Sequence, residues 1–178
     1  QIKSGNDSAL DEVMERYKRV IINFVYRMIG DATEAEDVAQ DVFVRAYQAI
    51  RKPGFGRTTA AFSTWLFQVS RNAALDYLRF RKRHPAETLS SMDDRGESVA
   101  DAGRMAHEEV AARETGERIA EVIAILPEDQ RTALILLEYE GLSYAEIATV
   151  MKCSLKSVEA RLYRAKQFLR MHLAQLLR

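Results

Sequence analysis

The chain has 178 residues, with 26 lysines and arginines against 26 aspartates and glutamates, so its formal net charge is zero. This length allows one domain or two small ones, and the balanced charge excludes any conclusion about partners from overall charge alone. The single cysteine, Cys153, excludes an internal disulfide and fits a reducing cytosol. No apolar run is long enough to span a membrane and no signal-peptide pattern is present, so we expect a cytoplasmic protein without membrane insertion.

Helix-forming residues are abundant, glycine and proline are scarce, and no stretch alternates like a strand. The fold class is therefore predicted to be all-α. A first helix is expected over residues 9–29, closed by Gly30. The second helix is expected to begin at a capping-box pattern formed by Thr33 and Glu36 and to run to about residue 51.

The second helix carries an acidic surface. Five acidic residues and no basic residue lie between Asp31 and Asp41. Asp37, Gln40 and Asp41 recur at helical spacing, which predicts that they share one exposed face. Two interpretations stay open at this point: a solvated helix face, or a docking site for a basic partner surface.

The loop over residues 52–61 contains glycine and proline, with Arg57 close to Phe55. Cations beside an exposed aromatic ring are suited to holding an unpaired base, although most such loops have no special role. A third helix is predicted over residues 62–83, with Ser63 or Thr64 as its cap.

The only tryptophan, Trp65, lies in the first turn of this third helix together with Phe62. Stacking on nucleic acid and burial in a core are equally compatible with that position. Residues 85–103 lack apolar periodicity and are rich in Ser, Asp, Glu and Gly, which predicts an acidic flexible linker. Further helices are expected over residues 106–126 and 129–139.

The last segment predicts a helix-turn-helix. Ser143 and Glu146 form a capping-box pattern, and apolar residues later recur every three or four positions. Residues 152–170 include six basic residues and one acid, Glu159, a balance that suits a phosphate backbone. Lys152 departs from the usual pattern because this turn often needs glycine, and Glu159 departs because it lies on the DNA-facing side. The alternative is an ordinary two-helix hairpin with a solvated basic face.

The sequence offers no familiar catalytic or metal site. His84, His107 and His172 lie far apart and form none of the metal-binding spacings of helical proteins. There is no Cys-x-x-Cys pair, Gly-rich phosphate loop or nucleophile elbow. We therefore expect no metal, no cofactor and no enzymatic activity.

Two blocks of sequence resemble one known family. AEDVAQDVFVRAYQAI at 35–50 and FSTWLFQVSRNAALDYLRFRKR at 62–83 resemble region 2 of bacterial RNA polymerase sigma factors. LPEDQRTALILLEYEGLSYAEIATVMKCSLKSVEARLYRAKQFLR at 126–170 resembles their region 4. The order of the blocks and the short linker are similar to the extracytoplasmic-function (ECF) class. The resemblance implies a region 2 domain at 1–84, the linker at 85–103 and a region 4 domain at 104–178.

The resemblance also implies function and partners. The chain would bind core RNA polymerase through its β′ and β subunits, recognise −10 and −35 promoter elements and promote strand opening. An anti-sigma factor would hold it inactive. The runner-up function is a helix-turn-helix regulator that binds DNA without polymerase, and such a regulator needs neither the acidic face nor the residues around Trp65.

Site residues follow from the same resemblance. Asp37, Gln40 and Asp41 match the positions that dock on the β′ coiled coil. The implied −10 contacts are Phe55, Arg57, Phe62, Ser63, Thr64, Trp65, Asn72, Arg79, Arg81, Lys82 and Arg83. The implied −35 contacts are Lys156, Ser157, Ala160, Arg161, Arg164 and Lys166. Arg161 is favoured for a base edge because arginine can bind guanine at O6 and N7.

Overall fold

The computed structural model describes residues 7–52, 55, 61–85 and 107–176. Across these ranges the chain forms seven helices and no strand, which confirms the all-α prediction. The helices are α1 (Asp7–Ile29), α2 (Ala32–Ile50), α3 (Phe62–Arg83), α4 (His107–Ala124), α5 (Glu128–Glu138), α6 (Tyr144–Met151) and α7 (Leu155–Leu176). Arg57 and nearly all of the expected linker lie outside the described residues.

Helices α1, α2 and α3 pack against one another as one bundle. Each helix buries one apolar side, as expected for amphipathic helices. Phe24 of α1 meets Phe67 of α3 edge to face, with ring centroids 5.4 Å apart. Ala39 and Ala46 of α2 are fully buried, so small side chains on α2 face the bundle and leave its acidic side in solvent.

The corner between α1 and α2 is very short. Gly30 adopts φ +79°, which glycine tolerates because it lacks a Cβ atom. Asp31 then caps α2, and its carboxylate accepts a hydrogen bond from the backbone N of Glu34 at 3.0 Å. The predicted capping box of Thr33 and Glu36 is therefore wrong, because Asp31 supplies the cap as soon as Gly30 has turned the chain.

Helices α6 and α7 form the predicted helix-turn-helix, supported by α5. The Ser143 hydroxyl accepts a hydrogen bond from the backbone N of Glu146 at 3.3 Å, and the Glu146 carboxylate accepts one from the backbone N of Ser143 at 2.8 Å. This confirms the second capping box. Hydrogen bonds from the Ser143 hydroxyl and backbone lower the pKa of the Glu146 carboxyl.

Lys152 ends α6 in the left-handed conformation, with φ 52° and ψ 48°. Its backbone N donates to the carbonyl of Thr149 at 3.3 Å, and that of Cys153 donates to the carbonyl of Ala148 at 3.0 Å. These two bonds make a Schellman motif, whose left-handed position is usually glycine. The turn therefore has the glycine-type geometry with a lysine in it, at a cost of about 1–2 kcal/mol.

The chain forms two helical units, α1–α3 and α4–α7, which pack directly on each other. Helix α3 contacts α6, while α1 contacts α4 and α5. The Arg131 guanidinium of α5 donates to the carbonyl of Met28 at the end of α1 and to that of Leu126 at 3.0 Å. We call this packing of α1 and α3 against α4, α5 and α6 the closed arrangement.

Candidate polymerase and nucleic-acid interfaces

The acidic face of α2 points into solvent. Asp37, Gln40 and Asp41 are all exposed, on the side opposite the buried alanines of the same helix. Val44 continues this face one turn later and is 55% exposed, although it is apolar. The four residues follow helical spacing, so the face combines two negative charges with an exposed apolar side chain. We call these four residues the α2 face.

An aromatic cluster covers the start of α3. Trp65 meets Phe55 edge to face at 5.0 Å and lies 5.7 Å from Phe62, which in turn contacts Tyr17 at 5.8 Å. These aromatic rings hold the loop residue Phe55 against the helix. Trp65 is half-buried, so it serves the packing of the cluster and still presents part of its indole ring to solvent.

The first turn of α3 differs from the sequence-based expectation. Its N-cap is Ala61, which makes no side-chain capping bond, so the predicted cap by Ser63 or Thr64 is wrong. Ser63 and Thr64 instead lie within the first turn, where Thr64 is only 3% exposed and Ser63 is half-buried. Helix α3 nevertheless begins at Phe62, the residue at which the sequence predicts its start.

The second half of α3 is basic and mostly exposed. Asn72, Arg79, Lys82 and Arg83 have exposed side chains. Arg79 pairs with Asp76 at 2.8 Å, one turn away on the same helix. Arg81 differs because it is half-buried and donates to the carbonyl of Ile29 at 3.2 Å, at the end of α1. The exposed cations can meet phosphates directly, whereas Arg81 stabilises the bundle.

The recognition helix α7 presents a second basic surface. Lys156, Ala160, Arg164 and Lys166 are exposed, and Ser157 is half-buried. Lys166 pairs with Glu138 of α5 at 3.1 Å, with both side chains about half exposed. Because such exposed pairs contribute little, Lys166 remains available to a phosphate.

Tyr163 is a candidate that the sequence reasoning missed. Its side chain is 67% exposed on α7. It lies three residues after Ala160 and seven residues after Lys156, so it shares their face. This spacing was visible in the sequence, and an aromatic residue on the polar side of a basic helix was the signal that could have revealed it.

Arg161 lies between the two helical units and does not share that exposed face. It is half-buried, and its guanidinium bonds Asp129 of α5 through Nη2 at 2.9 Å and Nε at 3.3 Å. Arg161 also donates to the Ser157 hydroxyl. The other carboxylate oxygen of Asp129 accepts from Nη2 of Arg71, on α3, at 2.8 Å. One carboxylate thus joins α5 to the recognition helix and to the bundle.

The environment of Asp129 favours its charged form. Burial alone would raise the pKa of this carboxyl, but the hydrogen bond and charge of Arg161, together with the charge of Arg71, outweigh burial and lower it. The Asp129 side chain is 47% exposed. It therefore remains ionised near neutral pH and can hold both arginines.

The described ranges contain no group of three or more histidine, cysteine or acidic residues that could hold a metal ion. None of the helices that the structure describes is long and apolar enough to cross a membrane. These two findings add no site beyond the acidic, aromatic and basic surfaces above.

Two family models match the chain: sigma-70 region 2 over residues 13–84, and sigma-70, region 4 over residues 116–169. The RNA polymerase sigma-H factor of Pseudomonas aeruginosa is 35% identical over 182 residues, which cover 100% of this chain and 93% of that protein. The ECF RNA polymerase sigma factor SigW of Bacillus subtilis is 32% identical over 183 residues, covering 99% and 95%. The chain belongs to the ECF class of sigma factors. This confirms the family that the sequence blocks predicted.

Solved structures share the fold of this ECF sigma factor. CnrH, in complex with the cytosolic domain of CnrY, matches with a TM-score of 0.70 and 28% identity, covering 98% of this chain and 94% of CnrH. The sigma factor RpoE of Bartonella quintana, in complex with the anti-sigma factor NepR, matches with a TM-score of 0.65 and 24% identity, covering 92% and 96%. The second match shows the fold alone.

Membership of the ECF class makes this protein a transcription initiation factor that works with RNA polymerase. The runner-up function, a regulator that binds DNA without polymerase, is not favoured. Sigma factors as a class are non-catalytic transcription factors.

Proposed function

We propose that this ECF sigma factor docks on core RNA polymerase through the α2 face and reads the promoter with α3 and α7. The observation that carries the proposal is the separation of charge. An exposed acidic face lies on α2, and exposed basic surfaces lie on α3 and α7. Electrostatic complementarity then favours binding of the acidic face to a basic protein surface and of the basic surfaces to DNA.

The docking partner of the α2 face is the coiled coil of the β′ subunit, with further contacts to β. Asp37, Gln40 and Asp41 supply the polar contacts. Val44, which is exposed next to them, supplies an apolar contact that is removed from water on docking. We also propose that the chain divides into a region 2 domain at residues 1–84, an acidic linker at 85–103 and a region 4 domain at 104–178.

The −10 element is opened and held by α3 and the loop before it. Phe55, Phe62, Ser63 and Trp65 form the wall against which an unpaired base can pack, with Asn72 for its edge. Trp65 is half-buried and can still contact a base. Thr64 is buried, so its role is indirect: it supports the aromatic cluster. The phosphates nearby are held by Arg57, Arg79, Lys82 and Arg83, whereas Arg81 supports the bundle through its bond to the Ile29 carbonyl.

The −35 element is read by the exposed side of α7. Lys156, Ala160 and Tyr163 face the groove, while Arg164 and Lys166 hold phosphates, which position the helix without reading sequence. Ser157 and Arg161 reach the same groove only when Arg161 leaves Asp129. Glu159 lies between Lys156 and Ala160 and either accepts from a cytosine amino group or repels phosphate.

The protein needs no metal or cofactor, catalyses no covalent step itself and works in the bacterial cytoplasm. Strand opening draws on binding energy for unstacked bases. An anti-sigma factor is its regulatory partner, as its membership of the ECF class suggests; CnrH, which is 28% identical, likewise forms a complex with a second protein, the cytosolic domain of CnrY.

The test is transcription in vitro from genomic fragments, with core polymerase and the purified sigma factor. Specific transcripts should appear only when both are present. Lys156→Ala with Arg164→Ala should weaken promoter binding uniformly and reduce its salt dependence by about two counterions. Lys18→Ala with Arg19→Ala removes the same charge from exposed positions of α1 and should change little. Transcription that does not depend on the sigma factor would refute the proposal.

A further inference from the structure

Asp129 lies where the start of α5 meets the bundle and the recognition helix. Its Oδ1 atom accepts from Nη2 of Arg71 at 2.8 Å, and its Oδ2 atom accepts from Nη2 and Nε of Arg161 at 2.9 and 3.3 Å. Both oxygens are thus used, by arginines from two different helical units. The side chains of Arg71 and Arg161 are only 14% and 23% exposed, so neither is available to an outside ligand in the closed arrangement.

The two arginines belong to the two helices that we propose to contact DNA. Arg71 directly precedes Asn72 on α3, and Arg161 lies on the recognition helix α7. Guanidinium groups bind carboxylates and phosphates with the same forked geometry. The Asp129 carboxylate therefore occupies the position that a DNA phosphate would take beside either arginine.

We propose that Asp129 is an intramolecular competitor of DNA, which keeps the unbound sigma factor closed by pairing with Arg71 across the two helical units. This inference rests on the proposed function, because it requires α3 and α7 to be the DNA-binding helices. Opening breaks the Arg71–Asp129 pair and frees a cation beside Asn72. Arg161 becomes free to turn to DNA when the phosphate backbone replaces the carboxylate.

The contact between Arg71 and Asp129 differs from the other contacts that hold the closed arrangement. Arg131 bonds the backbone carbonyls of Met28 and Leu126, and Arg27 pairs with Glu140 at 3.7 Å. Neither contact involves a cation of a proposed DNA surface. Loss of the Asp129 charge alone leaves Arg71 and Arg161 as two like charges at one contact, so repulsion replaces attraction.

The experiment measures domain separation and DNA binding in the full chain. Donor and acceptor dyes are attached at Val44→Cys on α2 and Met171→Cys on α7, both exposed positions, in a Cys153→Ser background. The variants are Asp129→Asn, which removes the shared charge, and Arg71→Gln, which removes only the arm that crosses between the units. Glu121→Gln is the matched control, since Glu121 is an exposed acid on α4.

Without DNA, the parent and Glu121→Gln should give one short dye separation, and Asp129→Asn and Arg71→Gln should both shift it to longer values. Asp129→Asn should also bind a short fluorescent duplex of mixed sequence about tenfold more tightly, because affinity is reduced by the fraction of molecules that are closed. Arg71→Gln keeps the test valid if Asp129→Asn folds poorly.

Unchanged separation in both variants would overturn the proposal. So would a longer separation in Asp129→Asn without a gain in duplex affinity. If core polymerase with the parent protein selects no promoter in the transcription assay, the proposed function fails instead, and the dye separation still decides whether Asp129 closes the molecule.

Discussion

At the scale of single residues, Lys152 holds a conformation that suits glycine. Its φ of 52° closes α6 in a Schellman motif, and the side chain itself is exposed. Lys152→Gly should therefore raise the free energy of unfolding by about 1 kcal/mol. Chemical denaturation measures this change. Ala160→Gly, at an exposed helical position, should lower the free energy of unfolding by about 0.5–1 kcal/mol. If Lys152→Gly lowered it equally, Lys152 would not be under backbone strain.

Substitution of Tyr163 should change DNA binding without changing stability. Because its side chain is 67% exposed, Tyr163→Ala should leave the unfolding free energy within about 0.5 kcal/mol of the parent. Loss of one groove contact should weaken binding to a −35 duplex by about tenfold. Fluorescence anisotropy measures the affinity, and Tyr163→Phe should retain most of it. Full affinity in Tyr163→Ala would remove this residue from the DNA surface.

At the scale of helices, Glu140 at the end of α5 faces Arg27 of α1. The Glu140 side chain is 8% exposed, and the two charged groups are 3.7 Å apart. Burial raises the pKa of the Glu140 carboxyl, and the charge of Arg27 offsets only part of that effect. A neutral side chain should therefore suit this site better, and Glu140→Gln should raise the unfolding free energy at pH 7 by up to about 1 kcal/mol.

The pH dependence of the Glu140→Gln effect has a defined sign. Because the pKa of Glu140 is raised in the folded state, the folded parent takes up a proton at a higher pH than the unfolded chain does as the pH falls. The advantage of Glu140→Gln should be full above the raised pKa and should shrink as the pH falls toward the ordinary value of 4.5. Denaturation curves at several pH values test this. A difference that grows on acidification would contradict the burial argument.

Helices and their exposed faces could be predicted from the sequence because both follow local periodicity. The helix-turn-helix, its capping box and the acidic side of α2 all depend on residues three or four positions apart. The cap of α2 could not be predicted correctly, because the turn at Gly30 decides where that helix begins. The ion cluster at Asp129 was also beyond prediction, since its partners are 58 and 32 residues away in the sequence.

At the scale of the whole molecule, the proposed function depends on exposed surfaces of opposite charge. Formal net charge is zero, yet the α2 face is acidic and the exposed sides of α3 and α7 are basic. In the proposed function, this division of charge allows one chain to bind core polymerase with one unit and promoter DNA with both. Composition totals conceal the division, and only the order of residues along the helices reveals it.

The most direct test of this account is binding of the purified protein to core RNA polymerase with and without Asp37→Ala and Asp41→Ala. Glu12→Ala with Glu15→Ala is the control, because it removes the same charge from exposed positions of α1. We expect saturable binding for the parent and the control, and a loss of at least about tenfold in affinity for the α2 variant. Equal binding by all three proteins would show that the α2 face is not the polymerase interface.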